Sequence, residues 1–145
     1  MLNDAESGLD DLYREVILDH YKSPRNRGEA PGATLACEGV NPVCGDEIHL
    51  SGRTADGKMA ELKFFGRGCA ISQASASMMT ETLAGRSLDD VRRIGESFKR
   101  AMKNEPGAVM PEENGDLEAL EGVKKYPVRI KCALLAWETL AQGLG

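Results

Sequence analysis

The feature that most constrains the fold is a change of hydrophobic period in the middle of the chain. Polar and apolar residues alternate in EIHLSGRT and KMAELKFFGRG, which flank the turn ADG, whereas CAISQASASMMTETLAG has helical spacing. The alternation predicts two antiparallel strands with one buried face, followed by a helix. Ile48 and Leu50 would share one face of the first strand, and Ala60, Leu62 and Phe64 one face of the second.

The flanking segments predict further helices and a third strand. Apolar spacing after residue 8 predicts a helix capped near Asp10 and ended before Pro24, and residues 34–40 predict a strand. Ser87 and Asp90 have the spacing of a capping pair that begins a helix. DLEALEG predicts one or two helical turns, and Pro127 begins the last helix. The order of elements predicts a small antiparallel sheet accompanied by several helices.

The composition is that of an ordinary globular protein. A length of 145 residues suits a single domain over residues 1–145, with 41% hydrophobic and 28% charged residues. The net charge of −5 argues against non-specific nucleic-acid binding. No apolar run reaches the roughly 18 residues that a membrane helix needs, and the acidic N-terminus lacks a signal-peptide pattern. We therefore expect a cytoplasmic protein that binds neither nucleic acid nor membrane.

The candidate chemical groups are four cysteines, none of them in a CxxC pair. In a cytosolic chain they are expected to be reduced thiols. Cys44 lies in a loop, Cys69 at the junction of strand and helix, and Cys132 in the first turns of the last helix, off its apolar stripe. Cysteines in such places are accessible and can have a lowered pKa, although a single cysteine is more often a small buried apolar residue. Together with Asp46, three thiolates would make a tetrahedral zinc shell.

The remaining candidates are weaker. Cys37 in a strand, and His20 and His49, are expected to have packing or surface roles. Gly66-Arg67-Gly68 lacks the rest of a phosphate-loop pattern. A basic cluster lies beside Cys132, and it is a solvated helix start, a docking patch or a cation source for a nearby thiolate. Its members are Lys124, Lys125, Arg129 and Lys131.

Three segments carry a family resemblance. NPVCGDEIHL, FFGRGCAISQASASMM and VKKYPVRIKCALLAW resemble the motifs of the IscU/NifU N-terminal-domain family of iron–sulfur cluster assembly proteins, and the SufU branch in particular. The resemblance spans nearly the whole chain and implies an α+β fold with a site of Cys44, Asp46, Cys69 and Cys132. Lys131 stands where IscU-type proteins have a histidine. A single proline in KYPVR and a longer segment before the third site cysteine also resemble SufU.

The resemblance implies a zinc-dependent sulfurtransferase that accepts persulfide sulfur from a SufS-type cysteine desulfurase, with downstream scaffold proteins as further partners. Cys44 would leave the zinc as the nucleophile, while Asp46, Cys69 and Cys132 stay as ligands. Arg129 would orient Asp46 or steady the thiolate. Two alternatives remain open. One is a scaffold that assembles a [2Fe–2S] cluster on the same residues, which then bind iron, and the other is a structural zinc module that recruits partners.

Overall fold

The computed structural model describes residues 4–145, and its elements follow the predicted order. They are α1 (Asp4–Lys22), β1 (Leu35–Asn41), β2 (Asp46–Ala55), β3 (Lys58–Arg67), α2 (Ala70–Leu83), α3 (Leu88–Met102), a 3₁₀ helix (Gly115–Lys125) and α4 (Pro127–Leu144). The three strands form one antiparallel sheet in the order β1-β2-β3. The predicted α+β class is confirmed. Within the described residues, no helix is long and apolar enough to cross a membrane.

The sheet buries one face against the helices, and one predicted face is wrong. Ile48 in β2 and Leu62 and Phe64 in β3 are buried as expected, but Ala60 is exposed and Met59 is fully buried instead. A register shift between β2 and β3 close to their connecting turn reverses the alternation there. An irregularity of this kind places two successive residues against one partner, so the residue before it changes face.

The helix α2 lies in the centre of the molecule, between the sheet and the helices α1 and α4. Ten of its residues are buried, five of them polar, so their hydrogen bonds must be made inside the protein. Ser75 shows how this is achieved. Its hydroxyl donates to the carbonyl of Ala133 at 2.6 Å and accepts from the indole N–H of Trp137 at 3.0 Å. These bonds tie α2 to α4, the two helices that carry Cys69 and Cys132.

Two helix boundaries differ from the predictions. α1 begins at Asp4, ahead of the predicted cap Asp10. It ends at Lys22, before Pro24, as expected. The predicted one or two turns at residues 116–122 are a longer 3₁₀ helix of 11 residues. That helix brings the chain back to the start of α4.

A buried histidine joins α1, α2 and the 3₁₀ helix. The backbone N–H of Arg25 donates to Ser77 Oγ at 2.8 Å, so the Ser77 hydroxyl proton is available to His20 Nδ1, also at 2.8 Å. The protonated Nε2 of His20 then donates to Asp116 Oδ2 at 2.7 Å. Glu81 lies close enough for these side chains to surround a metal ion. Hydrogen bonds already satisfy both ring nitrogens, so His20 has the packing role expected of it.

Candidate metal centre

Cys44 lies on an exposed turn between β1 and β2. Its backbone N–H donates to the carbonyl of Asn41 at 3.2 Å, and Gly45 has a φ of +71°, which a residue with a side chain rarely adopts. The neighbouring side chain of Val43 is 81% exposed. The turn thus holds a half-buried thiol close to the surface, between two strands that pair with each other.

Asp46 begins β2 and is 2% exposed. Its Oδ1 accepts the backbone N–H of Cys69 at 2.8 Å, and its Oδ2 lies 3.8 Å from Cys69 Sγ. Gly68 makes this contact possible, since a Cβ there would overlap the Asp46 carboxylate. Gly68 also has a φ of +142°, so a side chain is excluded both by space and by conformation.

Cys69 is the N-cap of α2, as the change of period predicted. Its Sγ accepts from the backbone N–H of Ser72 at 3.4 Å, one of the unpaired donors at a helix start. The thiol is half-buried and free. Cys69 is thus held at two points. Its backbone N–H donates to Asp46, and its sulfur accepts from the N–H of Ser72, so its position relative to Asp46 is fixed.

Cys132 lies in the second turn of α4 and is fully buried. Its Sγ is 3.3 Å from Cys44 Sγ, and the side-chain amide of Asn41 lies at 4.0 Å. Burial, followed by hydrogen bonds to Cys44 and Asp46, raises the pKa of the Cys132 thiol far above its usual value. The prediction that Cys132 is accessible and has a lowered pKa is therefore wrong for the metal-free protein. The side of α4 that carries Cys132 faces the other site residues and not the solvent.

Arg129 lies one turn before Cys132 on the exposed side of α4. The negative charge that the Cys69 sulfur can carry raises the pKa of the Arg129 guanidinium, and a hydrogen bond to Cys132 acts in the same direction. Cys44 contributes a smaller effect. Arg129 is therefore close enough to interact electrostatically with all three thiols. Lys131, next to Cys132, is exposed and lines a groove between α4 and the end of β1.

The four predicted site residues come together from three separate parts of the chain. Ligand atoms of Cys44, Asp46 and Cys132 all lie within 4.8 Å of one another, and Cys69 adjoins them through Asp46. The 3.3 Å between Cys44 and Cys132 is too long for a disulfide, which needs about 2.05 Å between sulfurs. Three thiols and one carboxylate in this arrangement can bind a soft, tetrahedral metal ion.

The fourth cysteine lies elsewhere. Cys37 is in β1 and packs against α4, where a Cβ at Gly143 would come within 2.7 Å of its sulfur. Burial raises the pKa of its thiol. These surroundings agree with the packing role expected for Cys37.

Two residues near the site were assigned no role in it from the sequence. Asn41 directs its amide towards Cys132, and Gly68 gives Asp46 its space. A glycine immediately before a candidate ligand was the available signal for Gly68. The position of Asn41 has no comparable signal, because its partner is far along the chain.

Comparison of the whole chain with known proteins gives a family match and several similar proteins. The model of the NifU-like N-terminal domain matches residues 12–141. The zinc-dependent sulfurtransferase SufU of Bacillus subtilis (strain 168) is 41% identical over 95% of this chain and 92% of its own length. The iron–sulfur cluster assembly scaffold protein IscU of Thermotoga maritima is 39% identical over 92% of each chain.

Solved structures share the fold. A crystal structure of a SufU-type iron–sulfur cluster assembly scaffold protein, described as putative, from Fervidobacterium islandicum AW-1 is 34% identical over 90% of this chain and 95% of that chain, with a TM-score of 0.79. The N-terminal NifU-like protein of Brucella abortus is 23% identical over 94% of each chain, with a TM-score of 0.82. At that lower identity the likeness concerns the fold alone.

Proposed function

Because the chain belongs to the NifU-like N-terminal domain family of iron–sulfur cluster assembly proteins, we propose that it is a zinc-dependent sulfur acceptor. Its donor would be a cysteine desulfurase of the SufS type, and Cys44 would receive the sulfur. The observation that carries the proposal is the contrast between a half-buried thiol on a glycine-containing turn and a neighbouring thiol fully buried in a helix, 3.3 Å away.

The donor set fits a zinc ion. Tetrahedral zinc with Zn–S bonds of about 2.3 Å separates two sulfur ligands by about 3.8 Å. The sulfurs of Cys44 and Cys132 are 3.3 Å apart, and Cys69 Sγ lies 3.8 Å from Asp46 Oδ2. An outward shift of about 0.5 Å at the Cys44 turn would bring the first pair to that separation. Cys44, Asp46, Cys69 and Cys132 would hold the ion, and zinc would keep the bound thiols deprotonated near neutral pH.

The chemistry of transfer follows from the position of Cys44. Its thiolate attacks the outer sulfur of the donor's persulfide, so a new S–S bond forms on Cys44 while the donor's S–S bond breaks. The electron pair leaves with the donor cysteine as a thiolate, and no external oxidant or reductant is consumed. Gly45 allows the turn to carry the thiol outward, whereas Cys69 and Cys132 are held by helices.

Arg129 supports the thiolates that stay behind. Its guanidinium interacts with Cys69 and Cys132, which raise its pKa, and it remains charged throughout because an arginine is protonated at any ordinary pH. A permanent positive charge beside the thiolates offsets part of the negative charge that three thiolates and one carboxylate bring to the site.

Exposed apolar side chains around the site suit a protein donor. Four of them flank the thiols on two segments of the chain, a concentration that marks contact surfaces in soluble proteins. They are Val40 (63% exposed), Val43 (81%), Tyr126 (60%) and Val128 (58%). The four cysteines are free, which suits a reducing compartment such as the cytoplasm.

The test combines metal analysis with sulfur acceptance. Protein purified without oxygen is analysed for metals, then incubated with a SufS-type desulfurase and cysteine, and the modified residue is located by mass spectrometry. We expect about one zinc per chain and one extra sulfur atom on Cys44. Cys44→Ser should lose acceptance, and the matched Cys37→Ser should keep it. Acceptance that survives Cys44→Ser would contradict the proposal, and zinc binding without acceptance would indicate a structural module.

A second candidate is a scaffold that assembles a [2Fe–2S] cluster on the same residues. It is favoured by the donor set, because thiolates also bind iron, and by the relatives named as scaffolds. Stoichiometric iron and labile sulfide, with a cluster spectrum that passes to an apo-acceptor, would select this function over sulfur transfer.

A further inference from the structure

A pocket next to the candidate metal centre contains two arginines and no acidic residue. It lies where the end of α1, the loop after it, the end of β3 and the start of α2 meet. Its lining is Tyr21, Pro24, Arg27, Phe64, Gly66, Arg67, Gly68 and Gln73. The chain has 23 acidic and 18 basic residues, so a concave site with only positive charge departs from the average surface.

Arg27 is held rigidly by its backbone. The N–H of Gly28 donates to the carbonyl of Phe64 at 2.8 Å, and the N–H of Phe64 donates to the carbonyl of Asn26 at 3.1 Å. Asn26 has a φ of +56° and a side-chain bond to Thr80 at 3.2 Å. The loop backbone is therefore fastened to the edge strand β3, which places Arg27 at the rim of the pocket.

In the part of the chain that the structure describes, neither arginine of the pocket forms a close ion pair with a carboxylate, as Arg25 does. Arg67 reaches Glu47 only at 3.9 Å, and the guanidinium is 80% exposed. Arg25, close by in the chain, binds Asp19 at 2.6 Å. Within the described residues, Arg27 contacts no carboxylate. Two guanidinium groups without a close acidic partner are suited to bind an oxyanion, because their planar donors match carboxylate and phosphate geometry.

The other groups of the pocket add polar contacts. Gln73 is 8% exposed, and one N–H of its side-chain amide donates to Ser72 Oγ at 3.1 Å, which leaves the second N–H as a donor for an anion. The side chain of Tyr21 is 44% exposed and can offer its hydroxyl. Gly66 and Gly68 leave the floor open, and both must be glycine for a separate reason, since a Cβ at either would overlap β2.

We propose that the pocket of Arg27, Arg67, Tyr21 and Gln73 is a binding site for an oxyanion, the carboxylate or phosphate group of a small molecule. The site does not include the thiols. Gly68 lines it, however, and the next residue, Cys69, donates its backbone N–H to Asp46 in the metal centre. A bound ligand would therefore lie beside the thiol centre without being a metal ligand. The proposal is independent of whether the protein accepts sulfur.

The experiment titrates the purified, metal-loaded full chain with inorganic phosphate and, separately, with succinate. Chloride keeps the ionic strength constant, and amide ¹H–¹⁵N shifts are followed. We expect saturable shifts centred on residues 66–68 and on Tyr21, Arg27 and Gln73. Arg27→Gln and Arg67→Gln should each weaken binding by about fivefold or more. The matched Arg53→Gln, an exposed arginine elsewhere on the sheet, should leave it unchanged.

The outcomes separate the possible ligands from a bulk charge effect. Tighter binding of phosphate would identify a phosphate site, and tighter binding of succinate a carboxylate site. Absence of saturable binding of both probes would overturn the proposal. It would be overturned equally by binding that Arg53→Gln weakens as much as Arg27→Gln and Arg67→Gln do, since that result would show only attraction to net charge.

Discussion

Cys44 and Cys132 have sulfur atoms 3.3 Å apart but differ in burial, since the first is half-buried and the second fully buried. Cys44 lies on a turn whose neighbour Val43 is 81% exposed, and Gly45 supplies the unusual backbone angle. Cys132 is fully buried in α4, against a helix that is itself buried on nearly all sides. The difference shows how one site can combine a thiol that moves with a thiol that does not. The rigid half provides the fixed geometry, and the exposed half provides access to a partner.

The largest expected effect separates the two cysteines. Cys44→Ala should reduce sulfur acceptance by at least about 100-fold and should destabilise the metal-free protein less than Cys132→Ala does, because the Cys44 thiol is only half-buried. Cys132→Ala removes a buried side-chain atom and should lower that stability by about 1 kcal/mol. Persulfide mass spectrometry and chemical denaturation measure the two quantities. Equal stability losses for both variants would show that the turn is as firmly packed as the helix.

A pH titration sharpens the contrast in a second way. Because the fold raises the pKa of Cys132, the metal-free protein favours its protonated form. The contribution of the protonated Cys132 thiol to stability is then fully present below the pKa of the thiol in the unfolded chain, about 8.5. It declines as the pH rises above that value. Zinc affinity should change in the opposite direction, by about tenfold per pH unit for each proton that binding displaces.

The measurements for this prediction are denaturation of metal-free protein between neutral and alkaline pH and a competitive zinc titration over the same range. Cys132→Ala should weaken the alkaline loss of stability, and Cys44→Ala should leave most of it. A loss that Cys132→Ala does not alter would assign it to other groups.

Charge on the exposed half should affect the encounter with the donor. Val43→Asp places a carboxylate beside Cys44. Docking of the desulfurase would have to remove water from this charge, so the KM of the desulfurase for this protein as sulfur acceptor should rise by about tenfold. Zinc content should not change. The control is Val109→Asp, because Val109 is 74% exposed on a loop of another region. Equal effects of the two substitutions would mean that the Cys44 turn is not a contact surface.

The smallest expected effect concerns Arg129. Arg129→Gln removes a charge that interacts with the thiols and should slow sulfur acceptance only several-fold, because the exposed group is screened by solvent. Arg129→Lys should recover part of the rate. Single-turnover acceptance kinetics test this, with zinc content as the control. If Arg129→Gln and Arg129→Lys behave alike, charge is not the relevant property.

Much of the fold could be predicted from local pattern. The change of period at Cys69 correctly located the last strand and the central helix, and Ser87 caps α3 through its bond to the N–H of Asp90. The exposed position of Ala60 could not be predicted, since a register shift depends on how two strands pair near their turn. The true extent of the 3₁₀ helix was also missed, because its residues are held by α1 and α4 rather than by their own spacing.

The site divides in the same way. By itself the sequence determined the residue types, the glycine turn at Cys44 and the helix cap at Cys69, because these depend on neighbours along the chain. Only the tertiary structure decided that Cys132 is buried against Cys44, that Asn41 faces it, and that Arg27 and Arg67 share a pocket. Burial and charge at each of these positions depend on residues distant in sequence, and packing brings them together.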